Sequence, residues 1–192
     1  MSNQIKYEYV KRLWFLQGGV IFTRWGNKPV AFTCKDKNGR RYVKININGK
    51  WHTVRIYEAV FMLFHDRPIA EGKELHHIDK NPENNAPENL IELTRKQHKR
   101  IHQFQCDDPM RGIYLNQGVW AFGWLDDNGK HRTRTFHEIN GALSFRDEVE
   151  RPRRQELRML GLNCRKISRG ITASQLRKIS RTQNSRLWRT HI

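Results

Sequence analysis

Four histidines, His76, His77, His98 and His102, fall within 27 residues of one another. A neutral imidazole is a nitrogen ligand for divalent transition-type ions. With an ordinary pKa of about 6.5 it is also a base for water near neutral pH. His98 and His102 are four residues apart, a spacing that on a helix places both on one face and lets both reach a common point. His76 and His77 are neighbours. On a strand, successive side chains point to opposite sides, so these two cannot both turn to the same ligand without distortion. The spacing therefore reads as a division of labour, in which one of the pair binds a metal and the other acts on water.

The elements around the histidines must hold them in place. Leu75 and Ile78 flank the pair as apolar residues of a short strand. The stretch containing Asn81, Pro82, Asn84, Asn85, Pro87 and Asn89 is too rich in turn formers for regular structure and reads as a loop. Asp79, Asn81, Asn84 and Asn85 are expected to shape it through Asx-type turns. Ile91 and Leu93 then alternate like a second strand. Thr94-Arg95-Lys96-Gln97 has the form of a capping box and starts the helix that carries His98 and His102.

Upstream, short strand-like runs occupy Val20 to Phe22, Pro29 to Cys34, Arg41 to Ile47 and Trp51 to Arg55, with hairpin signals at Asn38-Gly39 and Asn48-Gly49. Ala59, Val60, Leu63 and Phe64 recur at helical spacing, and Asp66-Arg67-Pro68 ends that helix. Downstream, Asp107-Asp108-Pro109 marks a boundary. Two more strands follow, Val119 to Leu125 and His131 to Phe136, and then a helix with Ile139, Ala142, Leu143 and Val149 as its apolar positions. Pro152 is expected to open another helical piece that Gly161 stops. From Leu162 to Ile192 there is no acidic residue, and Thr172-Ala173-Ser174-Gln175 predicts a short basic helix in this tail.

The segment from His76 to His102 resembles the HNH (ββα-metal) nucleases. Those share a paired histidine or Asp-His, an Asn-rich loop, an Asn-Leu and a metal ligand at a helix start, met here by His76-His77, Asn84-Asn85, Asn89-Leu90 and His98. The resemblance covers roughly residues 40 to 104, the upstream hairpin and helix being like those of phage and intron-encoded members. It implies His77 as general base, His76 and His98 as metal ligands, and Asn89 as the loop residue that fixes the orientation of His77. His102 corresponds to the last histidine of members that end in HxxxH. The implied cofactor is one divalent ion per site, Mg²⁺ or Mn²⁺ first, with Zn²⁺ or Ni²⁺ as alternatives. The implied reaction is phosphodiester hydrolysis giving 5′-phosphate and 3′-hydroxyl ends.

A second resemblance, to AP2-type DNA-binding domains, begins at Arg111 and rests on Gly112-Ile113-Tyr114, Val119-Trp120-Ala121-Phe122, Arg134-Thr135-Phe136 and Ala142-Leu143. It implies a three-stranded sheet backed by a helix. Alternation sets Lys130, Arg132 and Arg134 on one side of their strand, read as a DNA-facing row with Arg111. Trp120, Phe122 and Trp124 share a side and are expected to pack on the helix rather than stack on bases. Lys99 and Arg100, beside the metal histidines, are read as phosphate contacts.

The expected architecture is thus α+β: a nuclease domain with a β-rich N-terminal extension over residues 1–106, an AP2-like domain over 107–161, and a basic tail over 162–192. Composition agrees with a polyanionic partner: 36 Lys and Arg against 19 Asp and Glu give a formal net charge of +17. Duplex DNA is the expected partner, with no membrane and no obligate protein partner. There is no apolar run of spanning length and no basic amphipathic helix with a clean apolar face. Three isolated cysteines form no CxxC pair, which fits a reducing, cytoplasmic setting. The alternative reading is a DNA-binding regulator that uses the HNH fold as a scaffold.

Overall fold

The structure, a computed structural model, describes residues 2–106 and 108–164. The Thr172 helix and most of the basic tail lie outside the described residues. The chain divides into two compact units between Arg100 and Ile101.

The first unit opens with helix α1 (Asn3–Leu13), where the sequence pattern had suggested only β structure. Its signal is the Ser2 cap, whose hydroxyl accepts from the Ile5 N–H at 3.4 Å, with Tyr7, Val10 and Trp14 buried at helical spacing. Strands β1 (Trp14–Gln17) and β2 (Val20–Thr23) form a hairpin across Gly18-Gly19. Next comes an antiparallel sheet of β3 (Cys34–Lys35), β4 (Arg41–Ile47) and β5 (Lys50–Arg55). The expected strand from Pro29 to Cys34 is mostly irregular, contributing one bridge, Phe22 to Pro29, and the first residue of β3. Asn48 and Gly49 at φ 51° and 79° make the tight turn between β4 and β5.

Helix α2 (Ile56–His65) starts at Arg55, whose backbone N–H donates to the Glu58 carboxylate at 3.2 Å, and stops at Asp66 in the left-handed region. Its Ala59, Val60, Phe61 and Met62 form the unit's core with Val10, Ile45, Ile47 and Val54. Strand β6 (Lys73–His77) pairs antiparallel with β7 (Leu90–Thr94), His76 opposite Ile91 and His77 opposite Leu90. Helix α3 (Arg95–Phe104) follows at once. Its capping box is complete: Gln97 N–H donates to Thr94 Oγ1 at 3.2 Å, and Thr94 N–H to Gln97 Oε1 at 2.9 Å.

The division falls inside α3, earlier than the expected boundary after Cys106. The reason is visible at Phe104, fully buried with its ring held between Arg111 (5.4 Å) and Arg154 (4.5 Å) of the second unit. That unit is a three-stranded antiparallel sheet, ordered β10-β9-β8, with a helix on one face. The strands are β8 (Ile113–Asn116), β9 (Val119–Leu125) and β10 (His131–Phe136). The helix, α4 (Ile139–Met159), is continuous for 21 residues through Pro152, so the proline does not open a separate piece. Interior proline costs about 3 kcal/mol. Burial on both sides of it, of Ala142, Arg146 and Glu150 before and Arg154 and Leu157 after, holds the helix together. Gly161, at φ 77°, ends the turn that follows.

Candidate metal and hydrolytic centre

The pleat of β6 sorts its side chains onto two faces. Glu74 and His76 lie on one, Leu75 and His77 on the other. Because β6 is covered on both sides, both histidines are buried, at 3% and 6% exposure. The His76 ring meets the His98 ring of α3 edge to face, centroids 5.2 Å apart. The His77 ring meets the Tyr57 ring of α2 in the same way, also at 5.2 Å. The two neighbours therefore look at different partners, as the spacing requires.

His98 and His102 follow one another by a single turn of α3. With His76 they form a cluster in which one ligand atom from each lies within 4.8 Å of the others. His77 is not part of it. Three imidazole nitrogens at this separation fit a divalent ion drawn in by modest movement of the rings, and such a donor set suits Zn²⁺, Ni²⁺ or Mn²⁺ better than Mg²⁺. His98 Nδ1 lies 2.6 Å from Glu74 Oε2. The bond from His98 pulls the Glu74 carboxyl below its usual range, helped by the charges of Arg95 and Lys99.

His77 Nε2 lies 3.2 Å from Asn85 Oδ1, while Asn85 Nδ2 donates to the Glu83 carbonyl at 3.1 Å. The carboxamide oxygen only accepts, so this bond puts the His77 proton on Nε2 and leaves Nδ1 with the lone pair. Burial lowers the His77 pKa, and the Arg40 guanidinium adds to this. The bond to Asn85 and the charge of Asp79 oppose it. The net is an imidazole that is neutral, and so able to accept a proton, at pH 7.

Asn89, expected to orient His77, is placed otherwise. Its Oδ1 accepts from Asp79 N–H at 3.0 Å, and its Nδ2 donates to Asp79 Oδ1 and the Asn84 carbonyl at 2.9 and 2.8 Å. Asp79 also takes the Asn81 N–H at 2.8 Å and the Asn84 carboxamide at 2.7 Å. The Asn84 bond, then those from Asn81 and Asn89, hold the Asp79 carboxyl below its usual range. Asn89 and Asp79 thus staple the loop to the end of β6, and Asn85 is the residue on the histidine. Two carboxamides four apart in one loop have the same sequence signature, and only the folded loop separates their jobs.

Residues 60–100 match the HNH endonuclease family model. The matched stretch holds His76, His77, Asn85, Asn89 and His98, and His102 lies two residues past its end. A solved structure describing DNA binding and cleavage by the HNH homing endonuclease I-HmuI is similar to this chain, with 18% identity and a TM-score of 0.38, over 63% of this chain and 71% of that one. No curated protein matches the chain.

Beside His98 a pocket of about 310 Å³ opens, lined also by Glu74, Arg40, Tyr57, Lys6 and Lys73. Arg40, not singled out from sequence, lies with its guanidinium 5.6 Å from the Tyr57 ring centre. Lys99 is exposed on α3 and Arg100 is half-buried.

In the second unit Arg111 is placed inside rather than on a DNA-facing surface. Its guanidinium grips both oxygens of Glu150 at 2.7 Å and donates to the Gln103 carbonyl at 2.7 Å. Arg132 and Arg134 pair across the ladder with Trp124 and Phe122, which puts them on the face covered by α4. Arg134 stacks on Phe145 at 4.4 Å and Arg132 bonds Asp126 at 2.9 Å. The uncovered face of this sheet carries Tyr114, His131, Thr133 and Thr135 instead. Trp120, Phe122 and Trp124 pack on the helix side, Trp124 meeting Phe145 edge to face at 5.4 Å. No helix among the described residues is long and apolar enough to cross a membrane.

Proposed function

We propose that this chain is a metal-dependent DNA endonuclease that hydrolyses phosphodiester bonds to 5′-phosphate and 3′-hydroxyl ends. The observation that carries the reading is the arrangement of β6: His76 gathered with His98 and His102 on one face, His77 held by Asn85 on the other. Strand β6 ends at His77, so a phosphodiester crossing that end comes within reach of both residues.

His76, His98 and His102 would hold the divalent ion. When bound, it stabilises charge on the phosphate and on the departing 3′ oxygen. His77 Nδ1 takes the proton of the attacking water, a role typically contributing about 10²–10⁴ in rate. Asn85 keeps the ring in the tautomer this needs, and the Asn89–Asp79 staple fixes the loop from which Asn85 projects. Lys99 and Arg100 contact backbone phosphates flanking the cut. In the second unit an AP2-like use of the sheet would present DNA with the uncovered row of His131, Thr133 and Thr135 and with Lys130 just before β10, while Arg132 and Arg134 stand on the helix side. Arg111 serves the fold. The net charge of +17 supplies the non-specific attraction to the duplex.

The test is nicking or linearisation of supercoiled plasmid with Mg²⁺ or Mn²⁺, comparing the parent with His77→Ala. The expected result is metal-dependent cutting by the parent and little by the variant. Two proteins that shift DNA in a gel and never cut it would make the chain a DNA-binding regulator.

A further inference from the structure

We propose that Glu74 is a positioning residue of the metal centre: its carboxylate holds the Nδ1 proton of His98 and so presents His98 Nε2 to the cation. The inference rests on reading His76, His98 and His102 as the ligands.

Glu74 and His76 are two apart on β6, so the pleat sends both toward α3. There Glu74 Oε2 meets His98 Nδ1 at 2.6 Å, the short distance of a charge-assisted bond. Ionised, a carboxylate can only accept, which places the proton on Nδ1 and leaves Nε2 as the one lone pair His98 can offer. Its other oxygen, Oε1, lies 3.7 Å from Arg95 Nε, an exposed cation one turn before His98 on the same helix. The carboxylate is thereby steered from two sides, and the His98 ring inherits its orientation. A carboxylate behind an imidazole ligand also raises the basicity of the ligating nitrogen. The geometry points to a strand that supplies one ligand directly, His76, and the orientation of a second through the residue two before it.

A purely structural role is the competing account, since an acidic group near the start of α3 favours the helix electrostatically. Two measurements on the full chain separate them. The first is the His98 tautomer in the metal-free parent, read by long-range ¹H–¹⁵N NMR, with the proton expected on Nδ1. The second is calorimetric titration with Mn²⁺ alone. Glu74→Ala should weaken binding about 10- to 100-fold. Glu74→Gln should restore part of the loss, because its carboxamide oxygen still accepts from Nδ1. In a His98→Ala background Glu74→Ala should add nothing. A proton on Nε2 overturns the proposal, as does a parent that binds no Mn²⁺. So does a Glu74→Ala affinity within about twofold of the parent, or an undiminished loss in the His98→Ala background. None of these readouts requires cleavage. A chain that meets them and leaves plasmid intact loses the nuclease reading and keeps this one.

Discussion

Two clusters of polar side chains, one around Glu150 and one around β6, differ in kind. In the second unit the buried groups are complementary charges. Glu150 accepts from Arg111 and from Arg154, at 2.7 and 2.6 Å, and Arg146 donates to the Pro109 carbonyl at 2.7 Å. Each guanidinium finds an acceptor inside the unit, the one carboxylate or a backbone carbonyl. Around β6 the gathered groups are alike: three imidazoles, with His76 buried, His98 half-buried and His102 exposed. Like donors brought to one point gain little from each other and much from a cation. Cations gathered on a carboxylate and on carbonyls already have their acceptors, whereas a set of one donor type is open to a ligand.

The comparison can be broken first at the base. His77→Ala should lower plasmid cleavage by about 10²–10⁴ while leaving Mn²⁺ affinity near that of the parent, because His77 stands outside the cluster. An equal loss of metal binding would mean that the two faces of β6 do not divide the work. Removing Glu150 attacks the other cluster. Glu150→Ala leaves Arg111 and Arg154 buried beside each other and should cost about 3–5 kcal/mol in denaturant unfolding. A value near zero would show that water solvates these arginines and that Glu150 is not what holds them.

Smaller effects sharpen the picture. Thr94→Ala removes one arm of the capping box that starts α3 and should cost about 1 kcal/mol. A cost far above this would tie the cap to the site rather than to the helix. The smallest effect concerns acid. Burial pushes the Glu92 carboxyl up, but the two bonds from Arg67, at 3.1 and 2.8 Å, and that from Ala70 N–H, at 2.7 Å, hold it below its usual range overall. A carboxyl whose folded pKa is depressed stabilises fully above its unfolded value, about 4.3, and loses that contribution as pH falls through the folded one. Stability should therefore be flat with respect to this group above about pH 5 and decline on acidification, and Glu92→Gln should flatten the decline.

Much of the local structure around the histidines was legible because its signals lie close together in the chain. The strand that carries the paired histidines, the Asn-rich loop and the Thr94–Gln97 box each depend on residues a few positions apart, and these local elements are present. What stayed hidden depends on contacts distant in sequence. Asn85 and Asn89 look equivalent until the loop closes. Glu74 gains its partner 24 residues away, and Arg111 reaches across 39 to Glu150. Arg132 and Arg134 do alternate on β10, with Lys130 before the strand begins, but alternation cannot say which face the helix will cover. Helix α1 was missed for another reason: Tyr7, Val10 and Trp14 carry its pattern, yet its mixed polar sequence and the strands that follow drew the reading toward β.

The most direct test of the account is crystallographic: the full chain grown with Mn²⁺ and its anomalous difference map recorded at the manganese edge. One strong peak bounded by His76, His98 and His102, with His77 not among its ligands, is the predicted result. A map with no peak there, or with a peak ligated by His77, contradicts the division of labour across β6.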